Sequence, residues 1–369
     1  MNHMFPFGLD GGCSFYLMVY VLTLVVHVVL MAYVLAGSLW VAWCTLFPGA
    51  GLMPRTKQPL SRILRDWMPF MLSGAITAGV APLLFVQILY QRQFYSANLL
   101  LGWRWMVVIP VLIAAFYLLY VMKSRVVSRW PLPVRLGLAA GIAGCFLFVA
   151  FCWTANHLLG LEAAAWPEAY RTGDAVKSPL ALTLRLAIWI AGALPTMAVL
   201  ASWQLKTMRG DAAKWDGAIA ESDWGAMFEA DHRRLGVASL AGLAVAAACG
   251  GAYVATLSSA VRAALLGAAG APWLMLGLAS VLMQATVWGL HLRRPCLCVR
   301  WHAVLAVTLA TTLVSVAALR EIIRLTQANL DQVVAAAKSA AAVGGFELFV
   351  VFTLLNAALI AWCVRLVRT

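Results

Sequence analysis

Charged residues are scarce in this sequence. Asp, Glu, Lys and Arg make up 11% of the 369 residues, whereas 63% are hydrophobic, and the mean hydropathy is +0.88. A soluble chain of this length needs far more surface charge, so the composition excludes a soluble globular protein. It predicts an all-α fold, a polytopic helix bundle in a membrane. The net charge of +13 does not indicate nucleic-acid binding, because the basic residues fall at the ends of apolar runs rather than in one patch.

Familiar enzyme and cofactor motifs are missing as well. The sequence contains no Walker loop, dinucleotide fingerprint, HExxH or GxSxG. Its eight cysteines form neither CxxCH nor a pair of CxxC motifs, which argues against c-type haem, zinc and iron–sulfur centres. No Lys or Arg precedes Arg55, so we expect the first apolar run to be a membrane span rather than a signal peptide.

Nine apolar runs approach the roughly 20 residues that a helix needs to cross a bilayer. They are Tyr16–Cys44, Trp67–Tyr90, Trp105–Met122, Leu136–Trp153, Leu180–Trp203, Gly236–Leu257, Trp273–Leu292, His302–Ala318 and Phe346–Arg365. Of the 27 basic residues, 18 follow the odd-numbered spans, which predicts an N-terminus outside and a cytoplasmic C-terminus. We expect one membrane domain over 1–369, with five spans in 1–203, a cytoplasmic amphipathic segment in 204–234 and four spans in 235–369.

Three segments between spans are expected to be helical. The outer segment Asn156–Pro179 and the inner segment Gln204–Arg234 carry Trp side chains among polar ones, which is typical of helices lying on the bilayer surface. The inner segment would be the contact site for a cytoplasmic partner. Arg320–Lys338 would continue span eight beyond the membrane.

The stretch Trp67–Trp105 has the most unusual composition. It begins as an apolar helix with many small residues and ends in a short polar loop, Gln91–Trp103, that is rich in aromatics. Pro82 frees a backbone carbonyl, and the Gln87 amide needs a partner in the membrane. Two interpretations are open: a helix-packing interface with an aromatic belt, or the wall of a quinone site. The quinone contacts would be Pro82, Gln87, Phe94 and Tyr95.

Ionisable residues are costly inside a membrane, and His27 is the one that we expect well within a span. An imidazole there either ligates haem iron or bonds to a backbone carbonyl, and both interpretations stay open. His291 and His302 are expected in the headgroup zone of the cytoplasmic face. His157 and His232 are expected in solvated loops.

Three further polar side chains are expected to pair between helices. Glu347 begins the ninth span and would face Arg320 or Arg324. Gln284 and Asn356 are candidates for interhelical hydrogen bonds. A structural role is predicted for all three.

Several segments resemble subunit I of the cytochrome bd-type quinol oxidases, a family with nine spans and an external N-terminus. The first span resembles the family's opening helix, whose histidine, here His27, ligates the high-spin haem. ITAGVAPLLFVQILYQRQFY resembles the second helix and its following loop, and TANHLLGL resembles a turn leading outside. TLRLAIWIAGALPTMAVLASWQLK is similar to the helix with the low-spin haem histidine. APWLMLGLA is similar to the helix with that haem's methionine, which would be Met275.

The sequence also departs from that family at its functional positions. Ile188 stands where the low-spin haem histidine is expected, and the loop Ser258–Pro272 is short where the oxidases have a long quinol-binding element. MVVIPVLIAAFYLLY lacks the acidic residues of the family's third helix, and REIIR stands near the place of the Gly-Arg-Gln-Pro-Trp signature. We therefore expect a bd-oxidase-like chain that does not reduce oxygen and that binds no haem, or at most one haem b.

The resulting hypothesis is a membrane subunit of a respiratory electron-transfer complex in the bacterial inner membrane. It would anchor the complex, contact quinone, and dock a periplasmic redox subunit through Phe94 and Tyr95. Two alternatives remain. One is a haem b-bearing quinol-oxidising subunit that uses His27 and Met275. The other is a small-solute transporter, which is disfavoured because the sequence shows neither an inverted repeat nor a pair of broken helices with ionisable residues.

Overall fold

The structure is a computed structural model that describes residues 11–47, 58–176, 178–209, 221–293, 298–328, 330–342 and 350–356, together with 358, 359, 362 and 365. Within these residues there is no β-strand, and the named elements are α-helices and two short 3₁₀ turns. The α-helices are α1 (Gly11–Leu46), α2 (Pro59–Leu89), α3 (Gln91–Leu101), α4 (Trp103–Met106), α5 (Val108–Lys123), α6 (Leu132–Leu161), α7 (Trp166–Thr172), α8 (Pro179–Arg209), α9 (Glu221–Thr256), α10 (Ser259–Leu266), α11 (Ala271–Arg293), α12 (Val299–Gln327) and α13 (Leu330–Ala342).

Eight stretches of helix in the described chain are long and apolar enough to cross a membrane. They are α1, α2, α4 together with α5, α6, α8, α9, α11 and α12. Their large apolar side chains, such as Leu22, Ile109 and Leu282, lie exposed on the outside of the bundle. Soluble proteins rarely expose so much continuous apolar surface, whereas lipid covers it. The chain is therefore a multi-pass helical membrane protein, as its composition predicts.

The bundle is organised around α1, which packs against α2, α6, α8, α12 and α13. The main core lies where α1, α2 and α8 meet, and Tyr33 and Met197 are fully buried there. The Tyr33 hydroxyl donates a hydrogen bond to Gln204 Oε1 over 2.7 Å, which joins α1 to the far end of α8. An apolar stripe alone cannot choose among neighbouring helices in lipid, so such polar contacts help to set the arrangement.

The helix ends sort into two groups. At one end of the bundle, the first turns of α1 and α8 lie beside the last turns of α2, α6, α9 and α12. The polar contacts described below connect them. The opposite end joins the start of α2 to that of α9, where the backbone N–H of Leu60 donates to Asp231 over 2.9 Å and Arg234 donates to Gln58. The predicted topology requires these helix ends to lie in two groups at opposite ends of the bundle. We call the first group the outer end, because the basic residues predict that it faces outside.

Glycine and proline allow close packing of α8 on α9. Pro195 has no N–H, so the carbonyl of Ala191 lacks its normal helical donor. Gly242 packs directly on that carbonyl, and a Cβ built on Gly242 would lie 2.5 Å from Ala191 O. Gly250 lies on the same helix, but a Cβ built there would have no neighbour within 4 Å. Gly242 therefore allows α8 and α9 to approach each other closely at this point.

Three connecting segments differ from their predictions. The predicted loop Gln91–Trp103 contains the 11-residue helix α3, which is followed by Gly102 at φ 56°. A left-handed φ favours glycine, so Gly102 permits the turn between α3 and α4. The start of α9 is not a surface helix, because Trp224 and Phe228 are buried in the main core. Span eight does continue as helix, but α12 ends at Gln327 and α13 begins at Leu330.

Two predicted segments have different outcomes. The outer segment contains a short helix, α7, as expected, and its Trp166 Nε1 donates to Leu159 O over 2.8 Å. The ninth span falls partly outside the described residues. Its described part is helical over 350–356.

Candidate functional site: a buried polar cluster at the outer end

Glu321 on α12 is the centre of a buried polar cluster. Its carboxylate is fully buried and lies 3.4 Å from Arg324 Nη1 and 3.8 Å from Arg320 Nη1. The hydroxyl of Tyr90 donates to Glu321 Oε2 over 2.8 Å, and the hydroxyl of Tyr20 accepts from Arg320 over 3.1 Å. These contacts bring together α1, α12 and the residue that links α2 to α3.

Tyr90 is held in the form that donates. Its burial, together with the nearby Glu321 carboxylate, raises the pKa of the Tyr90 hydroxyl well above its ordinary value. The phenol therefore stays protonated at neutral pH and can donate to the carboxylate. The guanidinium of Arg324 also lies over the Tyr90 ring, 4.4 Å from its centroid, in a cation–π arrangement.

The contact between Arg324 and His157 assigns the histidine tautomer. Arg324 Nη2 lies 2.8 Å from His157 Nδ1. A guanidinium can only donate, so His157 Nδ1 must accept, and in the neutral ring the proton then resides on Nε2. His157 Nε2 is buried and has no hydrogen-bond partner among the described residues. The neutral His157 ring thus keeps one N–H donor for which the described residues supply no acceptor.

A third arginine, Arg185 on α8, lies in the same region. Its Nη1 donates to the Tyr253 hydroxyl over 3.1 Å, and its Cζ lies 5.0 Å from the Tyr253 ring centroid. Tyr253 packs beside Ile322 and Ile323 of α12, next to the other two arginines. Arg185 forms no ion pair among the described residues.

A recess opens beside this cluster. It is lined by Val86, Tyr90, Gln93, Phe94, Asn156, His157, Gly160 and Arg324. Its empty volume, including the space at its mouth, is about 240 Å³. Phe94 is buried against Trp105 and Trp153, with ring centroids 5.7 and 6.3 Å away. One wall is therefore aromatic, while His157 and Arg324 supply polar groups on another.

The predicted quinone contacts do not all meet here. Phe94 lines the recess, whereas Pro82 and Gln87 do not. Pro82 is buried within α2, at a position that precedes the recess-lining residues Val86 and Tyr90 along the chain, and Gln87 is half-buried. Tyr95 is 46% exposed and lies outside the recess. Successive residues of a helix point about 100° apart, which explains why Phe94 and Tyr95 separate.

The predicted haem ligands lie in different surroundings. His27 Nδ1 lies 2.8 Å from the carbonyl of Ala75 and therefore carries the proton, which leaves Nε2 as the acceptor of the neutral ring. Gly79 permits this position, because a Cβ there would lie 2.9 Å from the imidazole. Met275 is 70% exposed on the bundle surface. Ile188 packs in an apolar cluster with Trp273.

The other four histidines that the structure describes are all buried, and two of them differ from their predictions. His157 lies in α6 and His232 in α9, so neither is in a solvated loop. His291 and His302 are buried within the bundle, and the His232 and His291 rings are 5.5 Å apart. The position of His291 and His302 at the level of the headgroups stays a prediction. For His157 and His232 the reason for the difference is that α6 and α9 are longer than the predicted apolar runs.

The remaining polar predictions have mixed outcomes. Gln284 bonds between helices, since its Nε2 donates to Thr312 Oγ1 over 2.8 Å. Asn356 instead donates to Phe352 O in its own helix. Glu347 lies outside the described residues, and the described partner of Arg320 and Arg324 is Glu321.

Sequence reasoning missed most of the outer cluster, although two signals pointed to it. Arg185 lies within the predicted fifth span, where a basic residue indicates a functional site or a buried pair. Arg320 and Arg324 are four residues apart, which places them on one helix face with Glu321 nearby. Nothing in the sequence indicated that His157 would meet them.

Comparison with known protein families, characterised proteins and solved structures finds no match for this chain. Among the described residues, no group of three or more His, Cys, Asp or Glu side chains is placed to hold a metal ion. The function must therefore be argued from the site itself.

Proposed function

We propose that this protein is a membrane subunit of an electron-transfer complex in the bacterial inner membrane, and that its outer recess holds a quinone headgroup. It would anchor the complex and present the quinone without reducing oxygen. The proposal rests on one observation: His157, whose buried Nε2–H has no partner among the described residues, lines a recess together with the aromatic side chains of Phe94 and Tyr90.

The chemistry of the recess matches a quinone. A quinone is a flat ring with carbonyl oxygens that can only accept hydrogen bonds, and His157 Nε2–H can only donate. Aromatic side chains pack well against such a ring. The space of about 240 Å³ includes the open mouth of the recess, so the lining side chains would have to move apart to admit a quinone ring. The headgroup would then enter while its isoprenoid tail stayed in the bilayer.

The surface near the recess supports docking of a periplasmic redox subunit. Tyr95, Leu99, Trp103 and Tyr170 are exposed on α3, α4 and α7. Arg92 lies 5.8 Å from the Trp166 ring centroid and links α3 to the α7 segment. Phe94 is buried, so it cannot act as the docking anchor that the sequence suggested.

Binding of a short-chain quinone to the purified chain tests the proposal. We expect His157→Leu to weaken binding by about 3- to 10-fold, the value of roughly one hydrogen bond. Gln87→Ala is the matched control, because Gln87 lies in the same segment but does not line the recess. Equilibrium dialysis measures both. Equal affinities for the wild type and His157→Leu would refute the assignment of the recess.

A second candidate function is a haem b-bearing, quinol-oxidising subunit. The position of His27 favours it, because a histidine that donates through Nδ1 to a carbonyl presents Nε2 to a metal. We predict at most one haem per isolated chain in a pyridine haemochrome assay. If one is present, His27→Ala should remove it and His291→Ala should not. Two or more haems per chain would contradict both candidates.

A further inference from the structure

The outer cluster carries more positive than negative charge. Arg185, Arg320 and Arg324 are all buried or nearly so, with side chains of Arg320 and Arg324 only 15% and 11% exposed. Glu321 is the one carboxylate that pairs with any of them among the described residues. His157 accepts from Arg324 and adds no charge in its neutral form. The described cluster thus holds three positive charges and one negative charge.

Two of these arginines also have N–H groups that lack an acceptor among the described residues. Arg185 Nε and Arg320 Nε are buried and make no hydrogen bond among the described residues. Arg185 bonds to Tyr253, and Tyr253 belongs to the same apolar cluster as Leu319 and Ile322 of α12, which lie on either side of Arg320 in the sequence. The described hydrogen-bond acceptors of the two arginines are the hydroxyls of Tyr253 and Tyr20, which carry no compensating charge. Buried charges and buried N–H groups without partners are strongly unfavourable, so an acceptor of negative charge is expected between them.

We infer that the outer cluster binds a phosphate-type oxyanion between Arg185 and Arg320. A tetrahedral phosphate offers several acceptor oxygens, and guanidinium groups bind such oxygens through paired N–H donors. The phosphate can belong to an anionic lipid headgroup or be free in solution. This inference goes beyond the proposed function, because Arg185 and Arg320 do not line the quinone recess.

The melting temperature of the delipidated protein in neutral detergent tests the inference. A ligand that binds only the folded state raises the midpoint of unfolding in a saturable way. We expect inorganic phosphate to raise it by at least about 3 °C, and potassium chloride of equal ionic strength to leave it unchanged. Arg185→Gln should abolish the phosphate-dependent rise. Arg171→Gln, which alters an exposed pair with Glu168, should keep it.

A second experiment, in lipid nanodiscs, identifies the source of the phosphate. In nanodiscs, phosphatidylcholine with added phosphatidylglycerol should raise the midpoint above that in phosphatidylcholine alone if the ligand is a headgroup. A rise with inorganic phosphate alone would identify the free ion. In either case Arg320→Gln should remove the effect. If Arg185→Gln fails to fold, Arg185→Lys serves instead and should weaken apparent phosphate affinity by about 3-fold or more, because it loses the paired donors.

Two results would overturn the inference. One is a wild-type midpoint that responds to neither phosphate nor phosphatidylglycerol. The other is a phosphate response that is absent in the wild type and appears only in Glu347→Gln. The Glu347 carboxylate would then supply the negative charge that balances the arginines. Quinone binding that is lost in His157→Leu while the phosphate response persists would separate this site from the quinone recess.

Discussion

At the scale of single residues, Glu321 holds the outer end together. Its carboxylate meets Arg320, Arg324 and the Tyr90 hydroxyl, so three side chains depend on one negative charge. A buried ion pair contributes little compared with an apolar pair, but removal of one partner leaves the other charge buried and unpaired. The arrangement is therefore sensitive to neutralisation of this one group.

We predict that Glu321→Gln lowers the free energy of unfolding by about 3–5 kcal/mol. The substitution preserves size but leaves Arg320 and Arg324 without their carboxylate. Glu168→Gln is the control: its pair with Arg171 is exposed, with side chains 53% and 73% accessible, so we expect a change within about 1 kcal/mol. Reversible unfolding in mixed micelles measures both. Equal stability of the two variants would show that Glu321 is dispensable.

At the scale of helices, the α8–α9 contact combines a proline on one helix with a glycine on the other. Pro195 frees the Ala191 carbonyl, and Gly242 packs on it without a side chain. A weak Cα–H···O contact is available there, and such contacts recur between closely packed helices. Close approach of this kind is how membrane helices gain packing energy where lipid replaces water.

We predict that Gly242→Ala destabilises the bundle by roughly 1–3 kcal/mol or more, because the new methyl group would meet a backbone oxygen that cannot move aside. Gly250→Ala on the same helix has open space around its Cβ and should be nearly neutral. The unfolding midpoints of the two variants in one detergent give the comparison. A similar small effect for both would mean that α8 and α9 are not in close contact at Gly242.

At the scale of the whole molecule, the helix ends meet in the two groups that the distribution of basic residues requires. The orientation itself remains a prediction. Reporter insertions after Arg129 and after Thr172 test it, because these positions lie at opposite ends of the bundle. We expect activity of a cytoplasmic reporter at Arg129 and of an external reporter at Thr172. If both reporters were active on the same side of the membrane, the predicted number of spans would be wrong.

The exposed aromatic surface leads to a prediction about assembly. Tyr95→Ala combined with Tyr170→Ala should weaken the association with a periplasmic subunit by a few kcal/mol if these rings are hot spots. Tyr117→Ala is the control, because Tyr117 is also exposed but lies within the membrane-spanning surface of α5. Co-purification in mild detergent reports the association. Retention of a partner by the double variant, or recovery of a single chain from the wild type, would contradict the docking role.

The sequence by itself determined the membrane class and the approximate places of eight spans, because both follow from local composition and length. It also indicated the interhelical bond of Gln284. Only the tertiary structure decided which polar residues meet. His157, Arg185 and Glu321 are far apart in the chain and join only when six helix ends converge. Burial of Phe94 and exposure of Met275 were decided in the same way, because the face that a residue presents depends on the neighbours of its helix rather than on its own segment.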